Sequence, residues 1–67
     1  MIVDARGLSC PTPLIMALQA LKKENHFDII VDNEVAFENI TRTLKEKFSI
    51  IPDVERKGEE ITIRVRK

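Results

Sequence analysis

The stretch GLSCPTPL, Gly7 to Leu14, decides how this sequence is read. It holds the chain's only cysteine, Cys10, followed by Pro11 and Pro13 and then a long apolar run. Proline fixes φ near the helical value and lacks an N–H, so it suits the first helical position, where that N–H has no intrahelical partner. The residue before a proline is pushed toward extended geometry, which is the conformation an N-cap needs. The spacing therefore predicts that Pro11 is the first helical residue and Cys10 its N-cap. Pro13, at the third helical position, removes a second donor that would have been unpaired. Thr12 N–H is then the first-turn donor left to face the Cys10 sulfur.

From Pro11 the run PTPLIMALQALKK places Leu14, Ala17, Leu18 and Leu21 at i, i+3, i+4 and i+7, one face of a helix ending near Asn25. Before it, Ile2 and Val3 read as a short strand broken by Gly7. After it, FDIIVD, Phe27 to Asp32, reads as a second strand. Asn33 is placed to cap a second helix with Glu34 in its first turn and Ala36, Phe37, Ile40, Thr41, Leu44 and Phe48 as its inner stripe. Glu38, Arg42 and Glu46 mark its solvated face. Pro52 announces a third strand over Val54 to Lys57, and Lys57-Gly58-Glu59 turns into a last strand, EITIRVRK. There Ile61, Ile63 and Val65 alternate with Thr62, Arg64 and Arg66, so one sheet face is buried and the other wet.

The order is β-α-β-α-β-β. With no third helix to cover the far side, both helices must lie on the same face. Right-handed crossovers then give an α/β (α+β) two-layer sandwich with a mixed four-stranded sheet, a single domain over residues 1–67.

Composition narrows the function. One cysteine cannot form an internal disulfide, and a single histidine beside it argues against a metal cage, so no cofactor is expected. Lys plus Arg and Asp plus Glu both number 11, giving no net charge, and Phe27, Phe37 and Phe48 are the only aromatics. A nucleic-acid partner would leave a basic footprint with aromatic platforms, so direct nucleic-acid binding is not expected. No apolar run reaches membrane-spanning length. A lone thiol and no apolar signal segment at the N-terminus lead to the expectation of a cytoplasmic protein.

A thiol at a helix mouth faces the positive end of the helix dipole, which stabilises an anion by about 0.3–1 kcal/mol, up to about 2 when partly buried. That lowers a thiol pKa near 8.5 by up to roughly one and a half units. Arg6 adds to the effect if its side chain folds back over Gly7. The bland alternative is a buried cysteine acting as a small hydrophobe. Against it, N-caps are normally Ser, Thr, Asp or Asn, and Ser9 stands unused next door. No second cysteine exists to complete a redox pair. His26, read as a surface loop residue, lies beyond a helix of about 20 Å, out of reach for a Cys-His dyad. What remains is a thiol that accepts a group and passes it on.

DARGLSCPTPLI, Asp4 to Ile15, resembles the signature of the TusA/SirA/YedF family of small sulfur carriers, whose hallmark is Cys-Pro-x-Pro after a Gly-Leu and before the first helix. The match covers Asp4, Gly7, Leu8, Cys10, Pro11 and Pro13, and the family's element order is the one read above. VDNEVAFENITRTL, Val31 to Leu44, is especially similar to the YedF branch, associated with sulfur or selenium metabolism. The resemblance implies a sulfurtransferase in which Cys10 takes sulfane sulfur from a protein donor, often a cysteine desulfurase, holds it as a persulfide and relays it to an acceptor protein. It further implies that Thr12 N–H and the helix dipole stabilise the terminal sulfur, while Gly7 allows a tight turn and the approach of a partner's loop.

Two other readings stand beside it. One is a non-catalytic adaptor or regulator of the same fold, docking through a basic site formed by Arg64, Arg66, Lys67 and Lys57, whose plain counterpart is a solvated strand face. The other is a thiol redox sensor that forms a disulfide with another chain.

Overall fold

A computed structural model describes residues 1–8 and 12–66. Strand β1 (Ile2–Asp4) leads into helix α1 (Thr12–Lys23), strand β2 (His26–Val31), helix α2 (Glu34–Phe48), and the hairpin of β3 (Asp53–Lys57) and β4 (Glu60–Arg66). The sheet order is β1-β2-β4-β3, with β1 parallel to β2 and the other pairs antiparallel. The expected two-layer α+β architecture is thus present, with β4 inserted between the two strands that α2 connects.

Its core follows from the period-2 pattern of the inner strands. Phe27, Ile29 and Val31 of β2 stand opposite Val65, Ile63 and Ile61 of β4, and all six are buried. Ala17, Ala20 and Leu21 of α1 and Ala36, Ile40 and Leu44 of α2 close over them. No buried polar or charged side chain occurs among the described residues, so the side chains of the interior meet only through apolar packing.

Both helix-bearing crossovers leave the carboxyl ends of parallel strands, so α1 and α2 begin at the same end of the molecule. At the start of α2, Asn33 is extended (φ −150°, ψ 154°) and its side chain accepts from Ala36 N–H at 2.8 Å. At its end Ser49 takes the left-handed conformation (φ 58°), and the N–H groups of Ser49 and Ile50 both return to the Leu44 carbonyl. Gly58 opens the β3–β4 turn with φ 62°, at the first of two turn positions, where II′ hairpins take glycine.

Three local readings differ from expectation. On α1 the buried stripe is Pro13, Ala17, Ala20 and Leu21, while Leu14 and Leu18 are half-buried. Phe48 is 45% exposed, because α2 ends there and the chain turns away. His26 is exposed as expected, yet it opens β2 and pairs with Arg66 rather than lying in a loop. No helix among the described residues is long and apolar enough to cross a membrane.

This packing predicts unequal costs for two substitutions on α2. Leu44→Ala, in the core, should destabilise the fold by about 2–5 kcal/mol, and Asn33→Ala, which removes only a cap, by about 1 kcal/mol. Urea unfolding followed by circular dichroism reads both.

Candidate functional site

Arg6, Gly7 and Leu8, together with the start of α1, lie at the end of the sheet where β1 and β2 finish. Beyond β1, Ala5 is fully buried and its N–H still bonds the Ile30 carbonyl at 2.9 Å, so the chain stays attached to β2 for one more residue. It then turns at Gly7, whose φ is 74°. A Cβ built there would meet nothing within 4 Å, so the backbone conformation, not lack of space, demands glycine.

Two sets of contacts fasten this turn. Gly7 N–H donates to Asp32 Oδ2 at 2.9 Å, joining the β1–α1 loop to the residue that follows β2. Arg6 grips Asp4 through Nε to Oδ1 (2.9 Å) and Nη2 to Oδ2 (2.8 Å), and its backbone N–H also donates to Oδ1 at 3.1 Å. The remaining arm, Nη1, reaches Glu60 Oε2 on β4 at 2.9 Å. Arg6 thus spans the end of β2 and ties β1 to β4.

Electrostatics follow from these contacts. The Arg6 side-chain bonds, and then its backbone N–H, hold the Asp4 carboxyl down at about 2. The bonds to Asp4 and Glu60 in turn hold the guanidinium more firmly protonated. The trio carries one positive and two negative charges, so Arg6 is balanced within its own network and contributes position more than free charge.

Of the expected site residues, Gly7 and Leu8 lie in this exposed turn, Thr12 is the exposed first residue of α1, and Pro13 is buried beneath it. Cys10 and Pro11, with the expected N-cap and the Thr12 N–H contact to sulfur, lie outside the described residues. The first turn of α1 carries no acidic side chain, so nothing on the helix offsets its positive end. His26 stands at the opposite end of β2 from Asp32.

Beside Asp32 an open depression of about 410 Å³ is lined by Asp32, Asn33, Glu34, Arg56, Glu59 and Ile61 among others. Arg56, on the helix-facing side of β3, pairs with Glu34 and lies 4.9 Å above the Phe37 ring, bracing the hairpin against α2. That bond holds the Glu34 carboxyl below its usual range. Three carboxylates against one guanidinium make the depression unsuited to an anion.

The open sheet face is charge-interleaved. Arg64 bonds Glu55 at 2.9 Å and stands in register with Asp28 and Asp53, which fits a solvated strand face rather than a basic docking site. Asp32 and Glu60 were not read as site residues from sequence. Their partners lie 25 and 54 positions away, and no local pattern announces such pairs.

Comparison with known proteins places this geometry among relatives. A family model described as Sulfurtransferase TusA matches residues 1–67. Among solved structures, the chain is similar to a SirA-like protein from Desulfitobacterium hafniense, with 28% sequence identity, a TM-score of 0.79, and coverage of 97% of this chain and 95% of that one. No curated protein matches the chain.

The Asp4–Arg6 contact makes a prediction about acid behaviour. Asp4 is depressed in the folded state, so its contribution to stability is fully present above the unfolded carboxylate pKa of about 3.9 and is lost as pH falls through about 2. Arg6→Gln should return the Asp4 carboxyl toward its ordinary range, read by its side-chain carbon shift in an NMR titration. The acid-unfolding curves of variant and wild type should then differ least at the lowest pH.

Proposed function

Because the chain belongs to the sulfurtransferase TusA family, we propose that it is a sulfur carrier in which Cys10 bears the transferred atom. The observation that carries this reading is the whole-chain match in a protein with a single cysteine: no other thiol exists to hold sulfane sulfur.

The step is a pair of displacements at sulfur. The Cys10 thiolate attacks the outer sulfur of a donor protein's persulfide, a Cys10–sulfur bond forms, and the donor's sulfur–sulfur bond breaks with release of its thiolate. The proton lost by Cys10 is matched by the one the donor thiolate takes up. An acceptor's nucleophile then attacks the outer sulfur and frees the Cys10 thiolate. One sulfane sulfur moves in each displacement, so neither needs an external oxidant or reductant. A cysteine desulfurase fits as donor, since it ends its own chemistry with a persulfide.

Local features support the role. The unopposed positive end of α1 begins two residues after Cys10 and favours an anionic sulfur. Thr12 supplies an N–H there, and Pro11 and Pro13 remove competing donors. Gly7 and Leu8 form the exposed approach to the thiol. Arg6 supports this end through its bonds to Asp4 and Glu60. The Val31 to Leu44 resemblance favours a YedF-like setting in sulfur or selenium metabolism, and a cytoplasmic location accords with a free thiol.

The test is a loading assay with a cysteine desulfurase, cysteine and the intact mass of the protein. Wild type should gain one sulfur atom, removable by a thiol reductant, and Cys10→Ser should gain none. Absence of any gain, where a known carrier loads, would overturn the reading. Unchanged function in the Cys10→Ser protein would favour the adaptor instead.

A further inference from the structure

The loop before the cysteine is held by contacts that the fold itself hardly needs. Asp32 is exposed and follows the last residue of β2, while Gly7 N–H meets its carboxylate from across 25 residues of chain. The other oxygen of Asp32 accepts a longer bond from Asn33 Nδ2 at 3.4 Å, and Asn33 caps α2 through Ala36 N–H. One carboxylate therefore relates the β1–α1 turn to the start of α2. Exposed polar contacts of this kind add little to stability, because water competes for both partners. Their geometric effect is larger, since they fix where the backbone of Gly7 and Leu8 runs.

The anchors lie on both sides of the chain's one thiol. Gly7 is pinned three positions before Cys10, and Pro13, fully buried, is pinned three positions after it. On the sheet side, Arg6 is clamped by Asp4 and Glu60, so the turn is held to β1, β2 and β4 together. Group transfer between two proteins depends on the orientation of the reacting atoms, and a displacement of about 1 Å can cost on the order of a hundredfold in rate. Exposed side chains spent on fixing this particular turn are accounted for by that demand.

We propose that Asp32 is a positioning residue for sulfur transfer, acting through its hydrogen bond to Gly7 N–H with the Asp4–Arg6–Glu60 network as its support, to hold the turn that leads to Cys10 in the orientation a partner's sulfur requires. This rests on the reading of Cys10 as the sulfur-bearing residue. Asp32 does not touch the reacting atoms. Its effect is confined to reactions that require orientation, and a small reagent that attacks from any direction is indifferent to it.

Asp32→Asn and Asp32→Ala separate the hydrogen bond from the charge. Both lose the negative charge, but only asparagine keeps an oxygen able to accept from Gly7 N–H. With fold checked by circular dichroism, Asp32→Ala should lower kcat/KM for sulfur uptake from the desulfurase about tenfold, whereas Asp32→Asn should stay within about threefold of wild type. Alkylation of Cys10 by iodoacetamide should follow the same pH profile in both variants. The Gly7 amide proton should move upfield in Asp32→Ala, where its acceptor is lost, and less so in Asp32→Asn. Wild-type uptake in Asp32→Ala, or equal loss in both variants, would overturn the positioning role alone. A wild-type protein that takes up no sulfur removes the carrier reading, and this one with it. Should Asp32→Ala fail to fold, Asp32→Glu carries the test: it keeps the charge but displaces the oxygen, so reduced uptake supports the role and wild-type uptake overturns it.

Discussion

The antiparallel pairing of β2 with β4 is the constraint from which the rest of the molecule follows. It sets Phe27, Ile29 and Val31 opposite Val65, Ile63 and Ile61, so six apolar side chains share one face and the polar alternates share the other. A slip of one residue would turn the whole set outward, so the register is held by the hydrophobic effect acting on every position at once. With two helices available and one apolar face to cover, the layer arrangement has no alternative. Once β2 is placed, the turn after it is placed too, and that turn holds Asp32 and Asn33, which receive the β1–α1 loop and start α2. The candidate site is therefore a consequence of where the central strand stops.

Much of this was legible because it depends on local periodicity. The alternation in EITIRVRK names its buried face, Asn33 before Glu34 marks a helix start, and Gly58 marks the hairpin. The errors arose where local pattern was degenerate. Between Leu14 and Leu21 only Gln19 is polar, so more than one stripe satisfies a helical period, and which one turns inward is decided by the sheet beneath. Phe48 fits the inner stripe of α2 by spacing, but the left-handed Ser49 ends the helix where the core does. His26 looked like loop from its polarity, while its backbone belongs to the ladder with Arg66.

The site divides along the same line. Its motif is contiguous, and Gly7 could be read as a turn because a glycine between a strand and a helix has few other uses. The contacts that hold the turn cannot be read that way. Arg6 to Glu60 and Gly7 to Asp32 join residues that only the folded sheet brings together. Arg6 shows what is lost without them: alone in sequence it is a free cation near a thiol, while in the fold it is bidentate on one carboxylate and bonded to another. Its role shifts from supplying charge to setting position.

A division of labour between interior and perimeter results. Among the described residues the interior is wholly apolar, and the ion pairs of Arg6, Arg56 and Arg64 lie on exposed side chains. Hydrophobic burial is non-directional and tolerates motion of the surface above it, whereas hydrogen bonds are directional and fix geometry at small net gain. A chain of 67 residues has little core to spare for a buried polar site. Placing the directional contacts outside, at the end where both helices begin, lets the loop before the thiol be set without disturbing the packing. Exposure also leaves that loop open to another protein, which is what a carrier must meet twice in each cycle.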